Sequence, residues 1–196
     1  RHLLCHTSSI RDNWKELEDQ WVKNGDYKDP LAKSMPDYLV EGGKFFSAKK
    51  SFYTWAPGAN NQYCNVAVAL AAHVAEAKLK TPFETLCRKG IFDPLKLQDV
   101  GFLLTSVDPK KVAMPYSYRK KSGSFKALGH HGYIDYPAGT LRASAPYLSR
   151  FLMMFMGGGN LGEVRVLKEE TLEAMKALEE TVFWLWPNID AGSDGT

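Results

Sequence analysis

The sequence predicts a helix-rich mixed domain, or part of one. Three observations carry this. The 196 residues are enough for a real core. The run from Val66 to Leu79 is Ala-rich and apolar nearly all round in its first half, which describes a helix buried on most sides. Around it, capped amphipathic segments alternate with short extended stretches bounded by Gly and Pro.

The elements follow in order. Arg1 to Ile10 reads as an apolar turn running into a polar loop. Asp12 or Asn13 can cap a helix carrying Trp14, Leu17, Trp21 and Val22 on one face, stopped by Asn24-Gly25-Asp26. Pro36 suits the first turn of a short helix through Val40, ended by Gly42-Gly43. Lys44 to Trp55 is an extended approach to a Pro57-Gly58 turn. After the Val66 helix, Thr81-Pro82-Phe83-Glu84 has the form of a capping box with proline at the first helical position, and Gly90 ends that helix. Ile91 to Leu95 is an apolar hook, and Gly101 to Leu104 a candidate strand. Ser106 to Gly132, polar, basic and rich in Tyr, Ser and Gly, is a surface hairpin or excursion. Pro137 to Leu141 is a tight small-residue passage. Ser144 caps a helix with Leu148, Phe151, Leu152 and Phe155 inward, terminated by Gly157-Gly158-Gly159. Lys168 to Glu180 is a last amphipathic helix with Leu172, Met175 and Leu178 inward. Phe183 to Pro187 is an aromatic, buried stretch, and Asp190 to Thr196 a frayed tail.

Composition excludes some classes. With 44% apolar and 24% charged residues this is ordinary globular composition. A formal charge of +3, with lysine pairs scattered and no basic-aromatic stripe, gives no nucleic-acid footprint. The run Val66 to Val74 is too short to span a bilayer and contains His73, so no membrane span is expected. No signal peptide is visible, Arg1 is not an initiator methionine, and no compartment is assigned. Three cysteines, Cys5, Cys64 and Cys87, cannot all pair within the chain, which favours free thiols. His2, Cys5 and His6 share one turn, but no second cluster at zinc spacing accompanies them, so no metal and no cofactor are expected.

The stretch with chemistry is Tyr63-Cys64-Asn65, between the Pro57-Gly58 turn and the buried helix. Residues two apart in an extended chain point to one side. Tyr63 and Asn65 would then present a phenol and a carboxamide to one cleft at the mouth of that helix.

Four segments together resemble the serine β-lactamase-like superfamily, in its branch of class C β-lactamases, D-alanyl-D-alanine carboxypeptidases and related esterases. Leu3-Leu4-Cys5-His6-Thr7-Ser8-Ser9 is similar to that family's Leu-Leu-Thr-His-Thr-Ser-Gly. Pro57-Gly58 followed by Tyr63-Cys64-Asn65 is similar to its Pro-Gly-Thr and Tyr-Ser-Asn. Ile91-Phe92-Asp93-Pro94-Leu95 is similar to Ile-Phe-x-Pro-Leu, and Pro137 to Ala145 to Pro-Ala-Gly-Gly-Leu-x-Ser-Ser-Ala. The matches fall in the family's order and cover residues 1 to roughly 178. Ser9 and Thr140 stand where the family has glycine, Cys64 where it has serine or alanine, and Tyr147 where it has an acidic residue. The resemblance implies an α+β, β-lactamase/transpeptidase-like fold. Residues 1–196 would form a single partial domain, largely the helical half, with most of the antiparallel sheet outside the chain.

It also implies a site. In the family a serine from a Ser-x-x-Lys motif attacks an ester or amide carbonyl, assisted by its lysine. The tyrosine matching Tyr63 acts as base or proton relay, which requires a phenol titrating below its ordinary ~10 beside ammonium groups. The asparagine matching Asn65 orients the lysine and hydrogen-bonds the substrate's amide. The catalytic candidates here are therefore Tyr63 and Asn65. The Ser-x-x-Lys motif and the late Lys/His-x-Gly motif are expected outside this chain, leaving it inactive alone. Ser47-Ala48-Lys49-Lys50 and Ser117-Tyr118-Arg119-Lys120 read as chance strings, since neither opens an apolar helix. His130 and His131 read as surface-loop residues. The expected partners are a small ester or amide substrate if the site is completed, and a protein or further chain segments covering exposed apolar faces such as Trp14/Trp21 and Phe183–Trp186. The alternative is a degenerate or split family member serving as a structural or interaction subunit.

Overall fold

The structure, a computed structural model, describes residues 1–177. Its helices are α1 (Trp14–Asp19), α2 (Leu31–Leu39), α3 (Ala48–Ser51), α4 (Asn65–Leu79), α5 (Phe83–Cys87), α6 (Ala145–Met156) and α7 (Glu169–Lys176). The strands are short: β1 (Val22–Lys23), β2 (Tyr116–Arg119), β3 (Ser124–Ala127), β4 (His131–Gly132), β5 (Asn160–Leu161) and β6 (Val164–Arg165). Among the described residues they form antiparallel pairs, β1 with β4, β2 with β3 and β5 with β6.

The α4 helix is the centre. Val66, Ala67, Ala69 and Ala72 are buried, and the small alanines let α2 approach closely with Leu31, Met35 and Tyr38, spaced four and three apart on one face. Ile10, Leu17, Phe45 and Ile134 complete this cluster. A second cluster, built on Cys87, Phe92, Leu95, Leu97, Val100 and Met154, joins α5 to α6. The chain before α1 is tied to the approach to α4: Ile10 bridges Phe52, and the amides of Arg11 and Tyr53 donate to the carbonyls of Ser51 and Ser9. Cys5, Cys64 and Cys87 are free thiols. No helix among the described residues is long and apolar enough to cross a membrane.

Several local expectations are corrected. The first helix ends at Asp19, and Val22 belongs to β1 instead, where Gly132 opposes it. That pairing demands glycine, because a Cβ at 132 would lie 2.6 Å from the Tyr27 amide nitrogen. The second helix begins at Leu31, so Pro36 lies inside it; burial of Leu31 and Met35 outweighs the lost backbone bond. Lys44 to Trp55 contains the one-turn α3. The Thr81 capping box does not form. Glu76 Oε1 accepts from the Phe83 amide at 2.7 Å, while Glu84 Oε2 accepts from the Phe102 amide at 2.8 Å. Gly90 does not end α5, which runs on through a π-helical turn from Arg88 to Phe92. Gly101 makes a single bridge to Arg142 rather than starting a strand. On α6 the buried residue is Met154, while Leu148 and Leu152 are exposed. On α7 Leu172 is buried and Met175 exposed. The hairpin expected between Ser106 and Gly132 is present as β2–β3. Leu178, Phe183–Pro187 and the tail lie outside the described residues.

Candidate active site

Tyr63 and Asn65 come together as the Tyr-x-Asn spacing requires. Cys64 between them is extended (φ −152°, ψ 116°), so the two flanking side chains share a side, and the Tyr63 hydroxyl donates to Asn65 Oδ1 at 2.9 Å. Tyr63 is exposed, so the phenol faces solvent at the entrance of α4. Its ring packs on the His6 imidazole, with centroids 4.5 Å apart.

The pair is held by Asp12, one of the two residues that the sequence offers as the α1 cap. Asp12 does not cap α1; Asn13 stands at that position and makes no side-chain cap. Asp12 instead reaches the start of α4. Its Oδ2 accepts from the Asn65 amide at 2.9 Å, and its Oδ1 from the Val66 amide at 3.1 Å and from Cys64 Sγ at 3.2 Å. A buried carboxylate on the first amides of a helix satisfies orphan donors and complements the helix dipole. Cys64 Sγ in turn accepts from the Ala67 amide at 3.4 Å, so the thiol takes the serine-like cap position. Burial and the Asp12 charge push this thiol well above its ordinary pKa, so it is an inert structural thiol.

His6 locks the same turn. Its Nδ1 accepts from the Cys64 amide at 3.2 Å, and its carbonyl accepts from the Gln62 amide at 2.8 Å. Burial lowers the imidazole pKa, which suits an unprotonated Nδ1. Asn61 Nδ2 donates to the Cys5 carbonyl at 2.9 Å. Ser9, at the family's glycine position, has φ 66° and donates from Oγ to the Trp55 carbonyl at 2.6 Å. Thus the His6-Thr7-Ser8-Ser9 segment buttresses the Tyr63 turn.

Beside Asn65 lies a cavity of about 210 Å³ lined by Trp14, Leu17, Trp21, Tyr133, Asp135 and Gly139. The Trp14/Trp21 face thus lines a recess next to the candidate pair. Asp135 is buried there, and burial raises its carboxyl pKa to about 6. Neither Asp135 nor Tyr133 carries a periodic signal in sequence; both precede the Pro137-Ala138-Gly139 passage, which is the only local hint. His131 pairs in β4, and its ring lies tilted against Trp21, with centroids 5.8 Å apart. Thr140, at the second glycine-substituted position, is buried and donates to the Phe102 carbonyl at 2.6 Å. Tyr147 packs against the second core cluster. Ser47 precedes the four-residue α3, whose Lys49 and Lys50 are exposed, and Ser117 lies in β2.

A buried Ala-rich helix opening at an exposed Tyr-x-Asn pair, braced by a His-Thr-Ser loop, is the arrangement that the resemblance to the serine β-lactamase/transpeptidase class implies. The Beta-lactamase family model matches residues 1–195, and the chain belongs to that family. Among solved structures it is similar to a penicillin-binding protein from Bacillus halodurans, with TM-score 0.65, 21% identity, and coverage of 90% of this chain and 49% of that one. It is similar to the octameric penicillin-binding protein homologue from Pyrococcus abyssi, with TM-score 0.63, 22% identity and coverage of 90% and 37%. It is also similar to the LovD9 mutant of simvastatin synthase from Aspergillus terreus, with TM-score 0.64, 17% identity and coverage of 98% and 47%. These likenesses show the fold. The chain spans less than half the length of each of these structures. Among curated proteins, none matches it.

Proposed function

We propose that this chain is the middle portion of a serine hydrolase that cleaves a small ester or amide through an acyl-enzyme. The observation that carries the reading is the Tyr63–Asn65 pair, hydrogen-bonded at 2.9 Å and solvent-facing at the head of the buried α4. In this reading Tyr63 relays a proton between the nucleophile and the leaving group, and Asn65 orients the lysine and the substrate's amide. In this reading the nucleophilic serine and its lysine are other than Ser47, which precedes a one-turn helix, and Ser117, which lies in a hairpin strand, since neither stands at the head of a buried helix. The chain by itself is therefore expected to be inactive. This reading requires no metal or other cofactor.

The test is labelling of the intact protein with a fluorophosphonate or penicillin probe, read by mass, beside p-nitrophenyl ester and nitrocefin turnover. A single covalent adduct on a serine, with turnover cut at least tenfold in Tyr63→Phe, supports the reading. Turnover by the 196 residues alone that disappears in Tyr63→Phe would overturn the division of the site.

A second reading is a split or degenerate member acting as an interaction subunit. Leu148, Leu152, Met153 and Met156 are all exposed on α6, an apolar face that further chain or a protein partner would cover. An intact protein that takes no acyl label and sediments as a complex favours this reading.

A further inference from the structure

We propose that the recess beside Asn65, lined by Trp14, Trp21, Tyr133 and Asp135, is a subsite for a cationic, ammonium-type group on the substrate. That the group belongs to a substrate rests on the hydrolase reading; the recess and its charge stand independently of it.

Size is the first argument. About 210 Å³ lies below the volume of ordinary ligand pockets, so it takes one group of a ligand whose remainder extends past Asn65 toward Tyr63. Chemistry is the second. Trp21 meets Tyr133 edge to face at 5.2 Å, and Trp14 and Trp21 remain 53% and 42% exposed. Partly exposed indoles beside a carboxylate attract a cation by their quadrupoles, and tryptophan does so best among the aromatics.

Asp135 is the third. It is only 8% exposed, and among the described residues no lysine or arginine pairs with it. Its carboxylate is met by its own backbone amide, and the charge that bears on it is another carboxylate, Asp12. A buried carboxylate lining an aromatic recess, with a second carboxylate raising its proton affinity, is unfavourable as an anion without a counter-charge. A ligand cation relieves both deficits at once, replacing lost hydration and opposing the Asp12 field. A neutral apolar group would leave the carboxylate desolvated and unpaired, so the recess discriminates by charge, not by shape alone.

The experiment uses the intact protein at pH 7.5 and constant ionic strength, with phenethylammonium, benzyl alcohol and 3-phenylpropionate as probes. Binding is read by tryptophan fluorescence and calorimetry. Phenethylammonium is expected to bind at least tenfold more tightly than benzyl alcohol, and 3-phenylpropionate more weakly than either. Asp135→Asn should abolish the preference for the cation while leaving benzyl alcohol binding within about twofold, and Trp21→Leu should weaken phenethylammonium severalfold. Equal binding of the cation and the alcohol to the unmodified protein overturns the proposal without any variant. So does a preference that survives in a folded Asp135→Asn. Cation binding without hydrolysis of any ester sinks the hydrolase reading and leaves the subsite; ester hydrolysis without cation preference does the reverse.

Discussion

Asp12 caps the helix that begins at Asn65, 53 residues further along the chain, with its Oδ2 2.9 Å from the Asn65 amide. One buried carboxylate thereby joins the His-Thr-Ser side of the site to the Tyr-x-Asn side. Asp12→Ala strips acceptors from two buried helix amides and a thiol, and should cost about 2–4 kcal/mol. Asp12→Asn keeps one acceptor and should cost less. Urea denaturation of both variants checks the ranking; equal losses would mean the cap's charge and geometry contribute little.

Cys64 occupies a serine-like cap with a weaker donor and acceptor. Cys64→Ser should therefore be tolerated within about 1 kcal/mol, since the hydroxyl can serve both the Asp12 carboxylate and the Ala67 amide. Cys64→Ala leaves an Asp12 lone pair and the Ala67 amide unserved and should lose about 1–3 kcal/mol. Thermal melts of the two variants separate hydrogen bonding from volume.

Ser9 sets two small effects against each other. At φ 66° a non-glycine residue is strained by about 1 kcal/mol, while its hydroxyl holds the Trp55 carbonyl. Ser9→Gly exchanges one for the other and should be nearly neutral. Ser9→Ala keeps the strain and loses the bond, so its midpoint should fall below that of Ser9→Gly.

Two groups give opposite pH dependences. Burial and the Asp12 charge hold the folded Asp135 carboxyl at about 6, above its ordinary 3.8. The fold thus favours the protonated form, and the stability present at low pH is lost as pH rises from about 4 to about 6. His6 runs the other way. Burial lowers its folded pKa, so its contribution is present above the ordinary 6.5 and is lost as pH falls through the lower folded value. Asp135→Asn should flatten the first slope and raise stability at pH 7.5 by on the order of 2 kcal/mol. A denaturant series from pH 4 to 8 would show it, and no change in slope would mean the carboxyl titrates normally. The same substitution is expected to remove cation selectivity, so stability gained there is selectivity lost.

The candidate pair was legible because it depends on local rules. Two-residue spacing in an extended segment places Tyr63 and Asn65 on one side, and Ala-rich apolar sequence makes the following helix. The Pro146-containing start of α6 and the basic hairpin followed equally local signals. The partners of the acidic residues are not legible locally, for a common reason. Asp12 and Glu84 both sit where a neighbouring helix start invites them, yet Asp12 serves α4, Glu84 serves the Phe102 amide, and Asp26 serves the amides of Leu104 and Thr105. A carboxylate binds whichever unpaired amide the fold brings near, and sequence distance does not enter that choice.

By itself the sequence indicated the family, through four separated segments that resemble it in order, and the central helix and the Tyr63–Asn65 pair, which rest on periodicity and on residues adjacent in the chain. Only the tertiary structure decided what braces that pair and what lies beside it. The Asp12 cap, the His6 ring against Tyr63, and the recess joining Trp14 and Trp21 to Asp135 unite segments that the sequence keeps far apart, and packing around α4 makes them neighbours.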